Sequence, residues 1–139
     1  VDISFWLLTF SIFLFLSLAI TKRYTELMFI KLSNKDGLKG RGYYVSDLGL
    51  LSSLGAASGF ISVLVLALFI NSNEFSQRYT SPEIMWLLIP LMTYWISRIW
   101  IITHRGEMQE DPILFALKDR VSRYLSFITI AIVMGAVWI

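Results

Sequence analysis

Four long apolar runs separated by polar connections set the pattern of this chain. Ile3 to Ile20 carries no charged residue, and a helix of that length spans roughly 27 Å, close to the hydrocarbon thickness of a bilayer. Leu48 to Ile70, Ile84 to Thr103 and Val121 to Ile139 are the other three runs; Arg98 interrupts the third and Arg123 lies near the start of the fourth. Membrane barrel strands would alternate in short segments, which these runs do not. Backbone groups in lipid must then close their hydrogen bonds within helices. The pattern predicts an all-α membrane domain over residues 1–139, with spans at about 3–20, 48–70, 84–103 and 121–139.

Composition agrees with that class. The chain is 56% hydrophobic and 16% charged, against about 45–50% and about 25% in soluble domains, and its mean hydropathy is +0.66. The formal charge of +2 does not imply nucleic acid, because in a membrane protein the distribution of charge decides its meaning. With no cysteine, disulfides, thiolate metal sites and cysteine nucleophiles are excluded. The first residue is Val1 and no basic segment precedes the first run, so that run reads as a span rather than a signal peptide, in a chain that is trimmed, processed or a fragment.

Ten of the twelve basic residues fall in or beside two connections. Lys22, Arg23, Lys31, Lys35, Lys39 and Arg41 occupy the first; Arg105, Lys118 and Arg120 occupy the third, with Arg123 just beyond. The positive-inside rule makes the loops 21–47 and 104–120 cytoplasmic and puts both chain ends and the Asn71 to Glu83 connection outside. The setting this implies is a bacterial inner membrane.

The two basic connections carry the candidate chemistry. Lys22 and Glu26 are four apart and share a helix face, with Tyr24 between them at interface depth. These residues read either as a binding cluster or as an interfacial anchor. Leu27 to Leu32 continue the helix along or beyond the surface, and Gly40 and Gly42 flank Arg41 in a turn that permits close backbone approach. Asp111 before Pro112 marks a helix start, and that helix is expected to run on into the last span. Glu107, Glu110 and Asp111 read as Mg²⁺ ligands beside a phosphate, or as caps and solvated charge. Arg98 inside a span costs about 2.5–3.5 kcal/mol at mid-helix, which calls for a partner or a function. His104, the lone histidine, reads as structural or as a general base. Ser53, Gly55, Ala56, Ala57 and Gly59 permit close helix packing in lipid.

Several of these segments, in order, resemble the C-terminal half of UbiA-superfamily intramembrane prenyltransferases. They are Lys22-Arg23-Tyr24-Thr25-Glu26-Leu27, Leu38-Lys39-Gly40-Arg41-Gly42-Tyr43, Tyr94-Trp95-Ile96-Ser97-Arg98, Arg105-Gly106-Glu107-Met108, and Asp111-Pro112 with Ala116-Leu117-Lys118-Asp119-Arg120. The pattern is most similar to the decaprenyl-phosphate phosphoribosyltransferase branch. The resemblance implies a nine-helix bundle of which this is the C-terminal part, Mg²⁺ as cofactor, a pyrophosphate-bearing donor and a polyprenyl (phosphate) acceptor. It implies Glu26, Lys22 and Tyr24 as catalytic residues, with Glu26 near metal. Arg23, Lys39, Arg41, Arg98, Arg105, Lys118 and Arg120 would bind substrate phosphate. The Asp-rich motif of the family's first half is absent from this sequence. The chain would therefore need a missing N-terminal half or partner membrane subunits; the alternative is a non-catalytic accessory transmembrane subunit of a larger membrane complex.

The cysteine-free background allows a direct check of topology. With single-cysteine variants in intact cells, a membrane-impermeant maleimide should label Asn71→Cys and spare Ser33→Cys; the reverse pattern would invert the assignment.

Overall fold

The computed structural model describes residues 5–32, 39–40, 43–71, 82–108 and 111–138. Among them four helices are long and apolar enough to cross a membrane, Phe5–Lys31, Leu48–Ile70, Glu83–His104 and Arg120–Trp138, so this is an integral membrane protein. Helix α1 (Phe5–Leu32) is followed by β1 (Lys39–Gly40) and β2 (Tyr43–Tyr44). These two-residue strands pair antiparallel, Lys39 with Tyr44 and Gly40 with Tyr43, a small departure from the all-α expectation. A 3₁₀ turn, Val45–Asp47, leads into α2 (Leu48–Ile70), and a second, Pro82–Leu87, leads into α3 (Leu88–His104). Then come the short α4 (Pro112–Lys118) and α5 (Arg120–Trp138).

Helix α1 has 28 residues, about 42 Å of helix against about 30 Å of hydrocarbon. Its last two turns therefore project past the membrane core, which puts Arg23 to Glu26 at the interface. The 3₁₀ opening of the third span has a local cause. Pro90 has no N–H for the carbonyl of Trp86, and its ring crowds that carbonyl, so regular α-geometry begins only at Leu88. Expected as one continuous helix, the segment after Pro112 instead breaks at Asp119, whose ψ of 127° is extended. Its side chain caps a fresh helix, and a capping residue is non-helical.

Most serine and threonine hydroxyls in the spans bond back to a carbonyl of their own helix. Thr9 to Phe5, Thr21 to Ser17, Ser58 to Leu54, Thr93 to Ile89 and Thr129 to Leu125 are examples. Such back-bonding keeps a polar atom satisfied in lipid but ties nothing together. Ser17 is different. Its Oγ donates to the Gly55 carbonyl at 2.6 Å and accepts from the Trp100 indole N–H at 3.1 Å, joining α1, α2 and α3 at one buried point.

Close packing there depends on the absent side chain of Gly55. A Cβ at this position would run into the six-membered ring of Trp100, and one at Gly59 would meet Ile96 Cγ2 at 2.7 Å and Ser17 Oγ at 3.0 Å. Of the small-residue group of α2, Gly55 and Gly59 thus pack against two helices, while Ser53 and Ala57 are exposed. Two apolar clusters flank this junction. Tyr24, Leu27, Leu48, Leu51, Val63, Ile96 and Trp100 form one at the end bearing the basic connections. Leu66, Phe69, Ile70, Met85, Leu88, Ile132 and Ala136 form the other at the opposite end.

Gly55→Ala should lower stability in detergent by about 1–3 kcal/mol through overpacking against a rigid indole. Gly49→Ala, with no atom within 4 Å of the added carbon, should be neutral or gain up to about 1 kcal/mol from helix propensity. Thermal unfolding of the two variants side by side separates the effects.

Candidate functional site

At the basic end, α1 meets the end of α3 and the start of α4 through two polar contacts, beside an ion pair within α1 itself. Lys22 Nζ lies 3.4 Å from Asp111 Oδ2. The Tyr24 hydroxyl is 3.2 Å from His104 Nδ1. Arg23 donates from one nitrogen to both Glu26 oxygens at 2.8 Å. Glu26 therefore faces Arg23, three residues before it, rather than Lys22.

Two local devices bring the later residues here. Helix α3 ends in a Schellman turn, in which the Gly106 N–H donates to the Thr103 carbonyl at 3.0 Å and the Glu107 N–H to that of Ile102 at 3.1 Å. Gly106 takes φ 76°, the left-handed conformation this motif requires and glycine adopts freely. The chain then buries Met108 and Pro112. Asp111 caps α4, accepting from the Ile113 N–H at 2.9 Å, and its other oxygen faces Lys22. The acid before proline is thus both cap and ion-pair partner.

Tyr24 is 3% exposed, and its ring meets Trp100 edge-on at 5.9 Å between centroids. Of this cluster it is the deeply buried member; Lys22, Arg23 and Glu26 are half-buried. Arg105, Lys118 and Arg120 are exposed. Lys39 is described by its backbone alone, and Arg41 and Glu110 lie outside the described residues. Among the described residues no three metal-ligating side chains converge, and Glu26 and Asp111 each already face a cation. These residues do not by themselves make the Mg²⁺ site that the resemblance implies.

Arg98 has found its partner. Its Nε donates to Asp119 Oδ2 at 3.2 Å and an η nitrogen donates to Oδ1 at 2.9 Å, the two-point geometry that suits a guanidinium. Asp119 Oδ2 also accepts from the Ser122 N–H at 3.0 Å and hydroxyl at 2.9 Å. Ser122 in turn accepts from the Trp95 indole at 3.1 Å. Burial works to raise the Asp119 carboxyl, but the bonds from Arg98 and Ser122 outweigh it and hold the group below the usual carboxylate range. A phosphate contact at Arg98 would have to compete with this carboxylate.

Trp95 and Ser122 also stand on the wall of a cleft of about 370 Å³ between α1, α3, α4 and α5. Leu14, Met92, Ala116, Leu125 and Thr129 complete most of its lining. The cleft was not legible in the sequence, since its wall is assembled from residues of four separate helices.

The chain is similar to two rhizobial proteins. It is 38% identical over 134 residues to the uncharacterized protein y4nM of Sinorhizobium fredii, a match covering 94% of this chain and 26% of that protein. It is 32% identical over 112 residues to nodulation protein NoeC of Azorhizobium caulinodans, covering 81% of this chain and 36% of that one. The chain thus spans about a quarter to a third of the length of these curated relatives. No family model and no solved structure matches.

Asp119→Ala should cost about 1–3 kcal/mol, less than the loss of a fully buried pair because both side chains keep some exposure. Adding Arg98→Ala should cost less than the sum of the two single changes, as a double-mutant cycle would report. Because the Asp119 pKa is lowered by folding, its contribution is complete above about pH 4 and is lost as pH falls through the depressed value. Acid titration of the unfolding midpoint should lose that component in Asp119→Asn.

Proposed function

We propose that this chain is the C-terminal half of a UbiA-like membrane transferase that works only with its complementary half. The substrates would be a pyrophosphate-bearing donor and a polyprenyl (phosphate) lipid. One observation carries the reading: Lys22 meets Asp111 and Tyr24 meets His104, beside the Arg23–Glu26 pair, at one end of a bundle that also holds an apolar cleft. Phosphate groups and isoprenoid chains need these two environments within one membrane domain. The setting follows the name of NoeC, a process connected with nodulation, in a bacterial inner membrane with the basic end cytoplasmic.

In this reading the cations of the basic end hold phosphoryl oxygens and stabilise the charge that develops on the leaving pyrophosphate. Glu26, held by Arg23, is poised to exchange that cation for a sugar hydroxyl or a metal. The carboxylates that would complete a Mg²⁺ site belong to the other half.

A second reading, a non-catalytic accessory subunit of a larger membrane complex, draws on the pairing of Glu26, Asp111 and Asp119 with cations of the same chain. Such pairs brace a fold without any ligand.

Pyrophosphate release from the donor, measured with polyprenyl phosphate in membranes holding both halves, separates the two readings. Glu26→Gln and Lys22→Ala should each reduce release by about a hundredfold or more, the scale of losing a charge-stabilising contact in a transfer reaction. Leu50→Ala, on an exposed apolar face, should leave it unchanged. Wild-type rates in the Glu26 and Lys22 variants, with intact assembly, would favour the accessory role.

A further inference from the structure

The Tyr24 to His104 contact decides which imidazole nitrogen can act. Tyr24 on α1 is 3% exposed, its ring edge-on to Trp100, and His104 Nδ1 is the hydrogen-bond partner found for its hydroxyl among the described residues. A buried hydroxyl hydrogen without an acceptor is costly. If Nδ1 carried the proton, the tyrosine oxygen would accept and its own hydrogen would have nowhere to go. The arrangement that satisfies both groups has Tyr24 donating to Nδ1, and in a neutral imidazole the proton then resides on Nε2.

We infer that His104 is an anion-contacting donor: Tyr24 fixes its tautomer so that Nε2–H is offered at the basic end to a phosphoryl oxygen of the ligand. A general base needs a lone pair on its reachable nitrogen, and here that lone pair is turned inward onto Tyr24. His104 itself is exposed at the last turn of α3, so the outward nitrogen is accessible. Lys22 and Arg23 on α1, and Arg105 beside it, supply positive charge at the same end. Glu26, Glu107 and Asp111 are the acids nearest to these cations in the chain among the described residues, and Glu26 and Asp111 are engaged by Arg23 and Lys22. The tautomer assignment rests on geometry alone; the identity of the anion rests on the proposed function.

His104 is the chain's only histidine, so ¹⁵N-histidine labelling in lipid nanodiscs yields a single imidazole. At a pH where it is neutral, the spectrum should show a protonated Nε2 and an unprotonated Nδ1. Tyr24→Phe, which keeps the ring against Trp100, should mix the two tautomers. A dominant protonated Nδ1, or a spectrum indifferent to Tyr24→Phe, would overturn the inference. Inorganic pyrophosphate serves as the anion probe. His104→Gln, whose amide nitrogen can replace Nε2, should bind it within about twofold of the parent. His104→Asn, which can replace only Nδ1, should bind about tenfold more weakly, the scale of one charge-assisted hydrogen bond. Equal affinities of the Gln and Asn variants, with Lys22→Ala still weakening binding, would overturn the role of His104 and leave the phosphate-handling reading in place. Undiminished binding by Lys22→Ala would instead overturn that reading.

Discussion

A guanidinium placed inside a membrane span has to be neutralised nearby, and Arg98 imposes that demand on the later half of the chain. It sits about 9 Å from the end of its span, too deep for comfortable solvation. The carboxylate that answers it comes from the connection between α4 and α5. To deliver that carboxylate, the backbone leaves helical geometry at Asp119, and the same oxygens restart the helix through Ser122. The directions of α4 and α5, and the position of Trp95 through Ser122, follow from one ion pair.

A second polar junction, Ser17 with Gly55 and Trp100, performs a related task in the earlier half. Between them the two junctions use α3 as their common member. Trp100 faces one junction, and Trp95 and Arg98 face the other. Apolar burial cannot specify helix neighbours in a bilayer, because lipid tails are as apolar as leucine. Directional contacts and close small-residue packing do so here.

The four spans were legible because length and charge segregation are properties of the chain itself, and Leu48–Ile70 falls where the pattern puts it. The Asp111-Pro112 start was legible for the same reason: cap and proline act within a few residues. The break at Asp119 was harder. Residues on both sides favour helix, and only the Asp119 to Ser122 spacing marks a new N-terminus, while Arg98, the residue that reinforces it, is 21 positions away. At the site, spacing suggested Lys22 and Glu26 as neighbours, yet Asp111 draws Lys22 across to another element and Arg23 takes Glu26. The Schellman turn had its signal in Gly106, one residue past the C-cap Arg105.

The contact of Gly55 with Trp100 has a kinematic consequence. With the indole lying where a side chain would otherwise stand, and Ser17 bonded to both other helices, α1, α2 and α3 are held in register as one plate at that point. The cleft lies between this plate and α5. Any change in the width of the cleft therefore falls to its α4 and α5 side, because α1 and α3 are tied to each other through Ser17.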